Sequence, residues 1–400
     1  MNSEDVTTLG SVAKCFDSKR IPLSTREREL RQGQYPYYGA AGIIDYVNKP
    51  IFSGQYLLLG EDGSVIEEDG KPVLQLVSGE FWVNNHAHVL QGETDLETRF
   101  LYYALKNTNI QGFVTGAVQP KLNQANMNRI PVYFPNKSTR ERIVEMLGSL
   151  DDKIELNRQT NATLEAIAQA IFKEWFVDFN YPGATGELVD SELGMIPKGW
   201  RAGILSEALS SIESGSRPKG GVGNLSEGIP SIGAENINGL GFYDYYKEKF
   251  VSEEFFARLN SGIVKSEDVS LYKDGASLGR KTLFMDDFPH QICAINEHVF
   301  ILRSNKLINQ LFLYFWLDQS YMTENIKSLN SNSAQPGINQ SAVRSLPILI
   351  PEKEISQRFE QIVKPLLSKL FNNCKESNSL SHIRDVLLPK LMSKDIDVSN

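Results

Sequence analysis

The residues that come nearest to a chemical motif lie in three places along the chain. Gly275-Ala-Ser-Leu-Gly-Arg-Lys-Thr282 approaches the Gly-x4-Gly-Lys-Ser/Thr loop that cradles phosphates, but its spacing is wrong. His86 and His88 could bind a metal, yet no third ligand follows at a metal-site spacing. The acidic run 67–69 could hold the metal of a nuclease, although such runs are usually solvated loops. We therefore predict a turn between strands, a structural histidine and a solvated loop, and no metal site.

Sequence motifs of other enzyme classes are missing. No Gly-x-Gly-x-x-Gly follows a strand-like run, so no dinucleotide site is indicated. The sequence also lacks the Asn/Asp-Pro-Pro-aromatic tetrad with which amino-methyltransferases hold the target amine. We expect no catalytic residue and no cofactor in this chain.

The composition is that of an ordinary globular protein of two or three domains. The chain has 400 residues, of which 41% are apolar and 22% are charged. Three distant cysteines without a CxxC pair argue against a zinc site or a disulfide framework and favour a reducing, cytoplasmic setting. The polar start, 1–10, is unlike a signal peptide, and no apolar run is long enough for a membrane span. The net charge of −8, taken alone, disfavours a nucleic-acid partner.

The sequence repeats itself once. Gln119-Pro120 with Asn123-Gln124 recurs 216 residues further on as Gln335-Pro336 with Asn339-Gln340. The aromatic stretch 100–105 and the pair Asp62-Gly63 both recur 212 residues further on, and we match His88-Val89 to His298-Val299 at an offset of 210. Two copies are too few for a solenoid, so we expect a pseudo-twofold pair.

Each copy begins with strand-like runs and ends in a long helix. Short apolar runs such as 56–59 and 299–302 alternate with Gly and Asp turns. Ser138 and Glu141 have the spacing of a capping box at the start of the first helix. Pro365 should kink the second helix. Each helix covers about 40 residues and is therefore about 60 Å long.

The two helices carry matching heptad seams. Asn157 and Asn373 occupy equivalent seam positions, where a buried polar pair specifies register. Arg384 interrupts the second seam at the position of Ala168 in the first. We expect the helices to pair, antiparallel if a twofold axis relates the copies; the alternative is that each packs on its own domain. The predicted helix-pairing residues are Leu147, Leu150, Ile154, Asn157, Leu164, Ile171, Val363, Leu366, Leu370, Asn373, Leu380 and Leu387.

The predicted fold class is α+β, with two β-rich domains separated by two long antiparallel helices in a pseudo-twofold repeat. The predicted boundaries place the first domain at 1–137, the first helix at 138–178 and a linker rich in Gly, Pro and acid at 179–200. The second domain follows at 201–351 and the second helix at 352–400.

With these segments in view, almost the whole chain resembles the specificity subunit of a type I restriction–modification system. The order of the matching segments, together with the duplication, makes the resemblance specific. The segments are 35–44 (Tyr-Pro-Tyr-Tyr-Gly-Ala-Ala-Gly-Ile-Ile), 57–63, 84–89, 335–340 with 346–351, the linker part 189–200, and the tail 387–392.

The resemblance implies a protein without catalytic activity of its own. In that family each target-recognition domain binds one half of a bipartite double-stranded DNA site, and the paired helices act as the spacer. Two methyltransferase (modification) subunits dock on the helices and use S-adenosylmethionine to methylate adenine. Endonuclease/translocase (restriction) subunits complete the complex. Because the two domains differ in sequence, we expect an asymmetric target.

Polar, Gly-rich turns are the expected DNA-binding segments, since Arg and Lys recognise guanine, and Asn and Gln recognise adenine. Arg217, Lys219 and Lys121 are the preferred candidates; Gln119 and Gln335 could instead share a structural role in the repeat. The full set of DNA-binding candidates is Arg31, Gln34, Tyr37, Gln119, Lys121, Ser216, Arg217, Lys219, Asn236, Asn238, Arg280, Lys281 and Gln335.

The acidity of the chain conflicts with DNA binding and keeps two alternatives open. We expect the isolated chain to bind DNA weakly, with partner subunits supplying much of the phosphate contact. One alternative is a coiled-coil adaptor whose two β-rich modules bind proteins. The other is a self-contained enzyme, such as a nuclease with unrecognised metal ligands.

Overall fold

The computed structural model describes residues 5–116, 118–223, 225–330 and 337–398, and it divides into two compact units. Unit 1 consists of Met1–Lys153 together with Leu380–Asn400, and unit 2 consists of Ile154–Ser379. The predicted domain boundaries follow the two sequence copies. The units instead cut both long helices, because each unit gathers half of each helix around one β-rich domain.

Unit 1 is built around a six-stranded sheet. The strands of unit 1 are β1 (Val6–Thr8), β2 (Lys14–Cys15), β3 (Gln32–Tyr38), β4 (Ile43–Val47), β5 (Phe52–Gly60), β6 (Leu74–Val83), β7 (Ala87–Gln91) and β8 (Pro131–Tyr133). Strands β1 and β8 pair with each other and are not part of the six-stranded sheet. The helices that begin in this part of the chain are α1 (Leu9–Val12), α2 (Thr25–Glu29), α3 (Asp95–Lys106), α4 (Gln124–Asn128) and the long α5 (Lys137–Phe176). The sheet order is β2-β7-β5-β6-β3-β4, with β3 parallel to β6 and the other neighbours antiparallel.

Strand β5 lies in the middle of this sheet because both of its faces are apolar. Leu57 and Leu59 contribute to one buried cluster with Leu101 of α3. Leu58 contributes to the cluster on the other side, with Phe81. A strand that is buried on both faces has a continuous apolar run rather than an alternating one, which explains the Leu-Leu-Leu sequence.

Unit 2 has smaller sheets and a larger aromatic core. Its strands are β9 (Leu188–Val189), β10 (Ile196–Pro197), β11 (Arg201–Ile204), β12 (Leu209–Ser214), β13 (Ile229–Ile232), β14 (Phe250–Val251), β15 (Val269–Tyr272), β16 (Lys281–Leu283), β17 (Ala294–Ile295), β18 (Val299–Ser304) and β19 (Pro347–Ile350). Its helices are α6 (Leu205–Ala208), α7 (Glu253–Ala257), α8 (Gln310–Asp318), α9 (Ser320–Ser328), α10 (Gln340–Arg344) and the long α11 (Lys353–Ser393). The sheet orders are β12-β18-β15-β16 and β14-β13-β17, with the pairs β11-β19 and β9-β10.

The duplication is visible in the backbone. In each copy the first strand pairs with the strand that precedes the long helix, β1 with β8 and β11 with β19. The repeated Asn123 and Asn339 are the N-cap residues of α4 and α10, and each side chain accepts a hydrogen bond from the amide three residues on. This N-cap role explains why Asn recurs at these positions.

The start of α5 differs from the prediction. The capping side chain is Asn136, whose Oδ1 accepts from the amide of Thr139 at 3.0 Å, so the helix begins one residue before Ser138. Asn is as effective an N-cap as Ser, and the Ser138/Glu141 spacing fits a capping box only by coincidence. Helix α11 is assigned as helix without interruption through Pro365.

The long helices run antiparallel within each unit. In unit 2, Phe172 of α5 lies 5.7 Å from Phe359 of α11 between ring centroids, while Asn157 contacts Asn373. In unit 1, Asp151 contacts Arg384. Later residues of α5 therefore face earlier residues of α11, so the two helices run in opposite directions, as the pseudo-twofold repeat predicts.

The predicted seam residues lie on the inward faces of both helices. Leu147, Asn157, Val363, Leu370 and Asn373 are buried, and the other seven are half-buried. Fully buried aromatic residues lie beside the seam, among them Phe172 and Phe371. They add contacts with α8 and its neighbours, which a strict two-helix seam does not provide. Arg384, at the interruption of the seam, forms a 2.7 Å ion pair with Asp151.

Among the described residues, no helix combines the length and the apolar character that crossing a membrane requires.

Candidate nucleic-acid interface

Three loops of unit 1 meet beside one end of its sheet. Strand β5 leads into Asp62, the turn between β6 and β7 carries Asn84 and His86, and the β3–β4 hairpin contributes residues 39–44. Together they line an open cleft of about 420 Å³. Gly63 has a φ of +80°, a conformation that favours glycine, so the Asp-Gly turn can fold back toward the cleft.

Short hydrogen bonds hold these loops together. Asn84 Oδ1 accepts from the amide of His86 at 2.8 Å, and the Asp62 carboxylate lies 3.9 Å from His86 Nδ1. Gln119 Nε2 donates to Asp62 Oδ1 at 2.8 Å, and the backbone of Lys121 forms an antiparallel bridge with Asp62. We call the set of Asp62, Asn84, His86 and Lys121 the loop junction of unit 1.

Unit 2 contains the same junction. Asn296 Oδ1 accepts from the amide of His298 at 2.9 Å, and His298 Nδ1 lies 2.9 Å from Asp274. Asp274 forms the antiparallel bridge with Gly337, which occupies the position of Lys121 in the repeat. We call Asp274, Asn296, His298 and Gly337 the loop junction of unit 2. Beside it, burial raises the pKa of Tyr272 to about 12, with Asp274 adding to the effect.

This geometry corrects the match between the histidines of the two copies. His86, not His88, is the equivalent of His298, because each follows an Asn by two residues, donates its amide to that Asn and faces the Asp of the Asp-Gly pair. The offset is then 212, as it is for Asp62 and Asp274. The two histidines of unit 1 stand two residues apart, so the sequence alone could match either one.

His88 is a structural residue. Its ring is 1% exposed, with Nδ1 2.6 Å from Asp17 and Nε2 2.8 Å from the carbonyl oxygen of Leu122. Because a carbonyl only accepts, Nε2 carries a hydrogen, while Nδ1 faces the carboxylate of Asp17. Cys15 lies close by, but burial raises the pKa of its thiol to about 11, which keeps it protonated at neutral pH. This group therefore stabilises the fold.

The predicted DNA-binding residues divide into an exposed and a buried set. Arg31 is half-buried in the turn before β3, and Gln335 lies outside the described residues. The exposed candidates are Gln34, Gln119, Lys121, Ser216, Arg217, Lys219, Asn238 and Arg280.

Three candidates point into the interior, and the expectation of a base contact does not apply to them. The hydroxyl of Tyr37, which is 1% exposed, accepts from the amide of Leu23 at 2.9 Å. Asn236, also 1% exposed, accepts from the amide of Gly233 and donates to the carbonyl of Asp244, each at 3.0 Å. Lys281 is 5% exposed and donates to Thr323 Oγ1 at 2.9 Å. Their polar groups satisfy the fold, so they are unavailable to a ligand at the surface.

Arg217 has an acidic partner in unit 2. Its Nε lies 2.8 Å from Glu297 Oε1, and the same oxygen lies 3.2 Å from His298 Nε2. Arg217 remains 58% exposed in its side chain. Glu297 therefore connects the most favoured DNA-binding candidate to the loop junction of unit 2.

The Gly275–Thr282 run is a turn between strands, as predicted. It connects the antiparallel pair β15 and β16 and contains a 3-10 turn at Gly275–Ser277. Its first five residues also spell Gly-x-Ser-x-Gly, the letters of a nucleophile elbow. That elbow joins a strand to a helix, whereas this run joins two strands, so it is no sign of a hydrolase.

Sequence reasoning missed the residues of the loop junctions as site residues. Asp62 and Asp274 were visible as a repeat, and 84–89 as a family-like segment, but neither was taken for a candidate contact. The signal that could have found them is the Asn-x-His pattern at the same offset of 212 as Asp-Gly. Two polar patterns that keep one common offset indicate that they fold into one site.

These observations define a class: a duplicated protein in which each β-rich domain carries a loop-lined junction and is joined to a long helix. A family model described as "Type I restriction modification DNA specificity domain" matches residues 2–166 and 211–381. The chain belongs to this family, and the resemblance noted in the sequence is confirmed.

The chain is similar to other specificity subunits over its whole length or over part of it. The type I restriction enzyme MjaIX specificity subunit of Methanocaldococcus jannaschii is 25% identical over 98% of this chain and 96% of its own length. A putative type I restriction enzyme specificity subunit of Haemophilus influenzae is 38% identical over 36% of each chain. The crystal structure of the S subunit of a type I restriction-modification system from M. genitalium has a TM-score of 0.58 at 20% identity. It covers 97% of this chain and 95% of that chain, which confirms the fold class.

Proposed function

We propose that this chain is the DNA sequence-recognition subunit of a type I restriction–modification complex, and that each loop junction organises the surface that binds one half of a bipartite site. The observation that carries the proposal is the recurrence of one junction in two domains whose surrounding residues differ. Because the two loop junctions share one geometry but are surrounded by different residues, they bind different half-sites, and the target is asymmetric.

The lining of each junction differs in the residues that can contact DNA. Beside the junction of unit 1 lie Gln119, whose amide can bind adenine, and Lys121, whose charge suits a phosphate. The equivalent of Lys121 in unit 2 is Gly337, and the cation near that junction is Arg217. A guanidinium can donate two hydrogen bonds to one guanine, which an ammonium binds less specifically.

The remaining exposed candidates lie in the same units. Ser216, Lys219, Asn238 and Arg280 are exposed in unit 2, as Gln34 is on β3 of unit 1. We assign them base or phosphate contacts as part of the proposal. Phosphate contacts position the protein on the duplex, and base contacts determine the sequence.

Partner subunits complete the proposed function. Two methyltransferase subunits dock on α5 and α11, whose pairing sets the distance between half-sites, and endonuclease/translocase subunits add cleavage. Methylation then uses S-adenosylmethionine bound by the methyltransferase, while this chain contributes recognition without a cofactor, in the cytoplasm. The support is that full-length relatives are named specificity subunits of type I restriction enzymes. The net charge of −8 favours weak DNA binding by the chain alone.

The test is to map adenine methylation in genomic DNA of the source cell by single-molecule sequencing. We expect one asymmetric bipartite motif that disappears when the gene for this chain is deleted. A retarded duplex carrying that motif, seen with the assembled complex and lost with a scrambled half-site, links the motif to the protein. Methylation that survives the deletion, or a motif without two separated halves, contradicts the proposal. Only the net charge of −8 favours the adaptor alternative, and weak DNA binding by the chain alone accounts for that charge equally well.

A further inference from the structure

A second cleft lies in unit 2, away from the loop junction, where α5 meets the end of α8. It has a volume of about 490 Å³, and its lining includes Glu165 of α5 and Tyr314 and Asp318 of α8. The turn 276–281 and Thr323 of α9 close the other side. The cleft is therefore bounded by the long helix and by the domain that it supports.

Two carboxylates, of Glu165 and Asp318, and three cations, of Arg280, Lys281 and Lys327, line this cleft. The Asp318 carboxylate lies 3.5 Å from the Lys281 ammonium, which itself donates to Thr323. Burial raises the pKa of Asp318, and burial together with Asp318 raises the pKa of Glu165. A further cation in the cleft would stabilise both carboxylates in their charged form. Of the other cations in the lining, Lys327 pairs with Glu324 at 2.9 Å and Arg280 is exposed.

Tyr314 is an independent sign that a polar group belongs in the cleft. Its side chain is 0% exposed, and within the described residues its hydroxyl has no hydrogen-bond partner. Tyr314 lines the cleft together with Glu165 and Asp318, and both carboxylates add to the effect of burial in raising the pKa of Tyr314. A buried hydroxyl without a partner costs free energy, so a ligand that donates to it gains affinity.

Unit 1 shows what fills the equivalent place. Lys106 ends α3 where Asp318 ends α8, and Arg384 stands where unit 2 has Ala168. The Arg384 guanidinium donates to Asp151 at 2.7 Å, and burial together with Arg384 lowers the pKa of Lys106. Unit 1 thus supplies its own guanidinium, that of Arg384 on α11, which pairs with Asp151 of α5. Unit 2 has the small Ala168 at the position of Arg384, and Asp318 in place of Lys106.

We propose that the cleft of unit 2, bounded by Glu165, Tyr314 and Asp318, is a binding site for a guanidinium group of another molecule. A guanidinium presents five donors in one plane and binds two carboxylates and a hydroxyl at once, which an ammonium does less well. The group comes from an arginine side chain of a partner subunit or from a free guanidine compound. The lining shares Asn238 and Arg280 with the proposed DNA contacts but contains no residue of the loop junctions, so the site can fail while the junctions still bind DNA.

The experiment follows the Tyr314 ring carbon next to the hydroxyl by NMR in the full chain labelled with [13Cζ]tyrosine. Tyr314→Phe identifies its resonance. Titration with methylguanidinium chloride should shift this resonance saturably, and methylammonium chloride should shift it less. Loss of one charged acceptor in Glu165→Gln should weaken binding about tenfold. The matched control is Glu145→Gln, an exposed carboxylate on the same helix in unit 1, which should bind as the wild type does.

A second variant tests the same site from within. Glu165→Arg places a guanidinium in the lining of the cleft, and we expect it to abolish the shift with methylguanidinium. Assembly with the methyltransferase subunit distinguishes the two sources: an arginine of that subunit makes assembly sensitive to methylguanidinium and to Glu165→Gln, and a free compound leaves it insensitive. A shift that does not saturate, or that is the same in Glu165→Gln, overturns the proposal and leaves a cleft filled by water.

Discussion

Asn157 and Asn373, which stand 216 residues apart, meet inside unit 2, where Asn157 Nδ2 lies 3.4 Å from the carbonyl oxygen of Asn373. Asn157 also donates to Glu376 at 2.8 Å and to Ser377 at 3.2 Å. Asn373 in turn donates to Asn161 Oδ1 at 2.8 Å. The layer therefore involves one more Asn of α5, and each buried amide is satisfied only in this register.

Replacing both buried amides by Leu should leave the helices formed but loosen their register. A Leu layer packs in several registers, whereas the Asn layer leaves unpaired polar groups in every register but one. We expect Asn157→Leu/Asn373→Leu to retain its helical circular dichroism and to form oligomers in light scattering. Asn372→Leu, the same substitution at an exposed position of α11, is the control. A monodisperse double variant would show that the layer does not set the register.

Arg384→Met should destabilise unit 1. Arg384 has 16% of its side chain exposed and pairs with Asp151, which also accepts from the Tyr103 hydroxyl at 2.6 Å. Removing the guanidinium leaves Asp151 short of a charged donor, so we expect the free energy of unfolding to fall by about 2 kcal/mol. Urea unfolding measures the change.

The matched control for Arg384→Met is Arg158→Met on α5. Arg158 pairs with Glu155, but 69% of its side chain is exposed. An exposed pair contributes little, so we expect a change below about 0.5 kcal/mol. Equal effects of the two substitutions would contradict the role given to Arg384.

Exchange of residues 201–335 for the equivalent segment of a relative should change one half of the recognised site. Each β-rich domain has its own loop junction and its own core, so the other half-site contacts remain. Methylation mapping of cells that carry the hybrid chain measures both halves. A change in both halves would show that the domains do not recognise DNA independently.

Glu297→Gln should strengthen binding of the assembled complex to DNA of any sequence. The substitution frees Arg217 from its 2.8 Å ion pair, so its charge becomes available to phosphate. We expect the slope of log affinity against log salt to steepen by up to about 0.9, and Arg217→Ala to remove that gain. Glu254→Gln, which releases the exposed Arg258 on α7, is the control. An unchanged slope in Glu297→Gln would exclude Arg217 from phosphate contact.

Asp17 should contribute to stability at neutral pH and lose that contribution in acid. Burial opposes its charged form, but the hydrogen bond to His88 prevails and holds the pKa of Asp17 below its ordinary value of 3.8. A carboxyl whose pKa is lowered by folding stabilises the fold above the unfolded-state value, and this stabilisation disappears as the pH falls through the folded-state value. We expect Asp17→Asn to be less stable than the wild type at pH 7. The difference in urea unfolding should shrink below about pH 4, and a constant difference would contradict this.

The duplication made the fold predictable. Asn157 and Asn373 could be paired from the sequence because one offset relates both helices, and an antiparallel arrangement follows from two equal copies. Cap positions were harder to predict, since Asn136 and Ser138 are both good N-caps, and packing at the end of β8 decides between them. The division into units could not be inferred from the repeat, because it cuts α5 and α11 rather than following the two sequence copies.

The site was less predictable than the fold. Polarity identifies Tyr37, Asn236 and Lys281 as possible contacts, but only tertiary packing shows that their polar groups face inward. The match of His88 to His298 failed for a related reason, since two histidines fit the repeat and only the Asn84 turn distinguishes them. Arg217 and Lys121 are exposed, as expected for turns, and their role in DNA binding stays a prediction.

The division of the chain into units has a consequence for biosynthesis. Leu388, Leu391 and Met392 complete a core that also contains Ile143 and Leu147 of unit 1. A ribosome makes those three residues only after the whole of unit 2 has been synthesised. This core of unit 1 therefore waits for a segment made after unit 2, and a chain that stops before Leu388 leaves the apolar face of Ile143 and Leu147 without that cover.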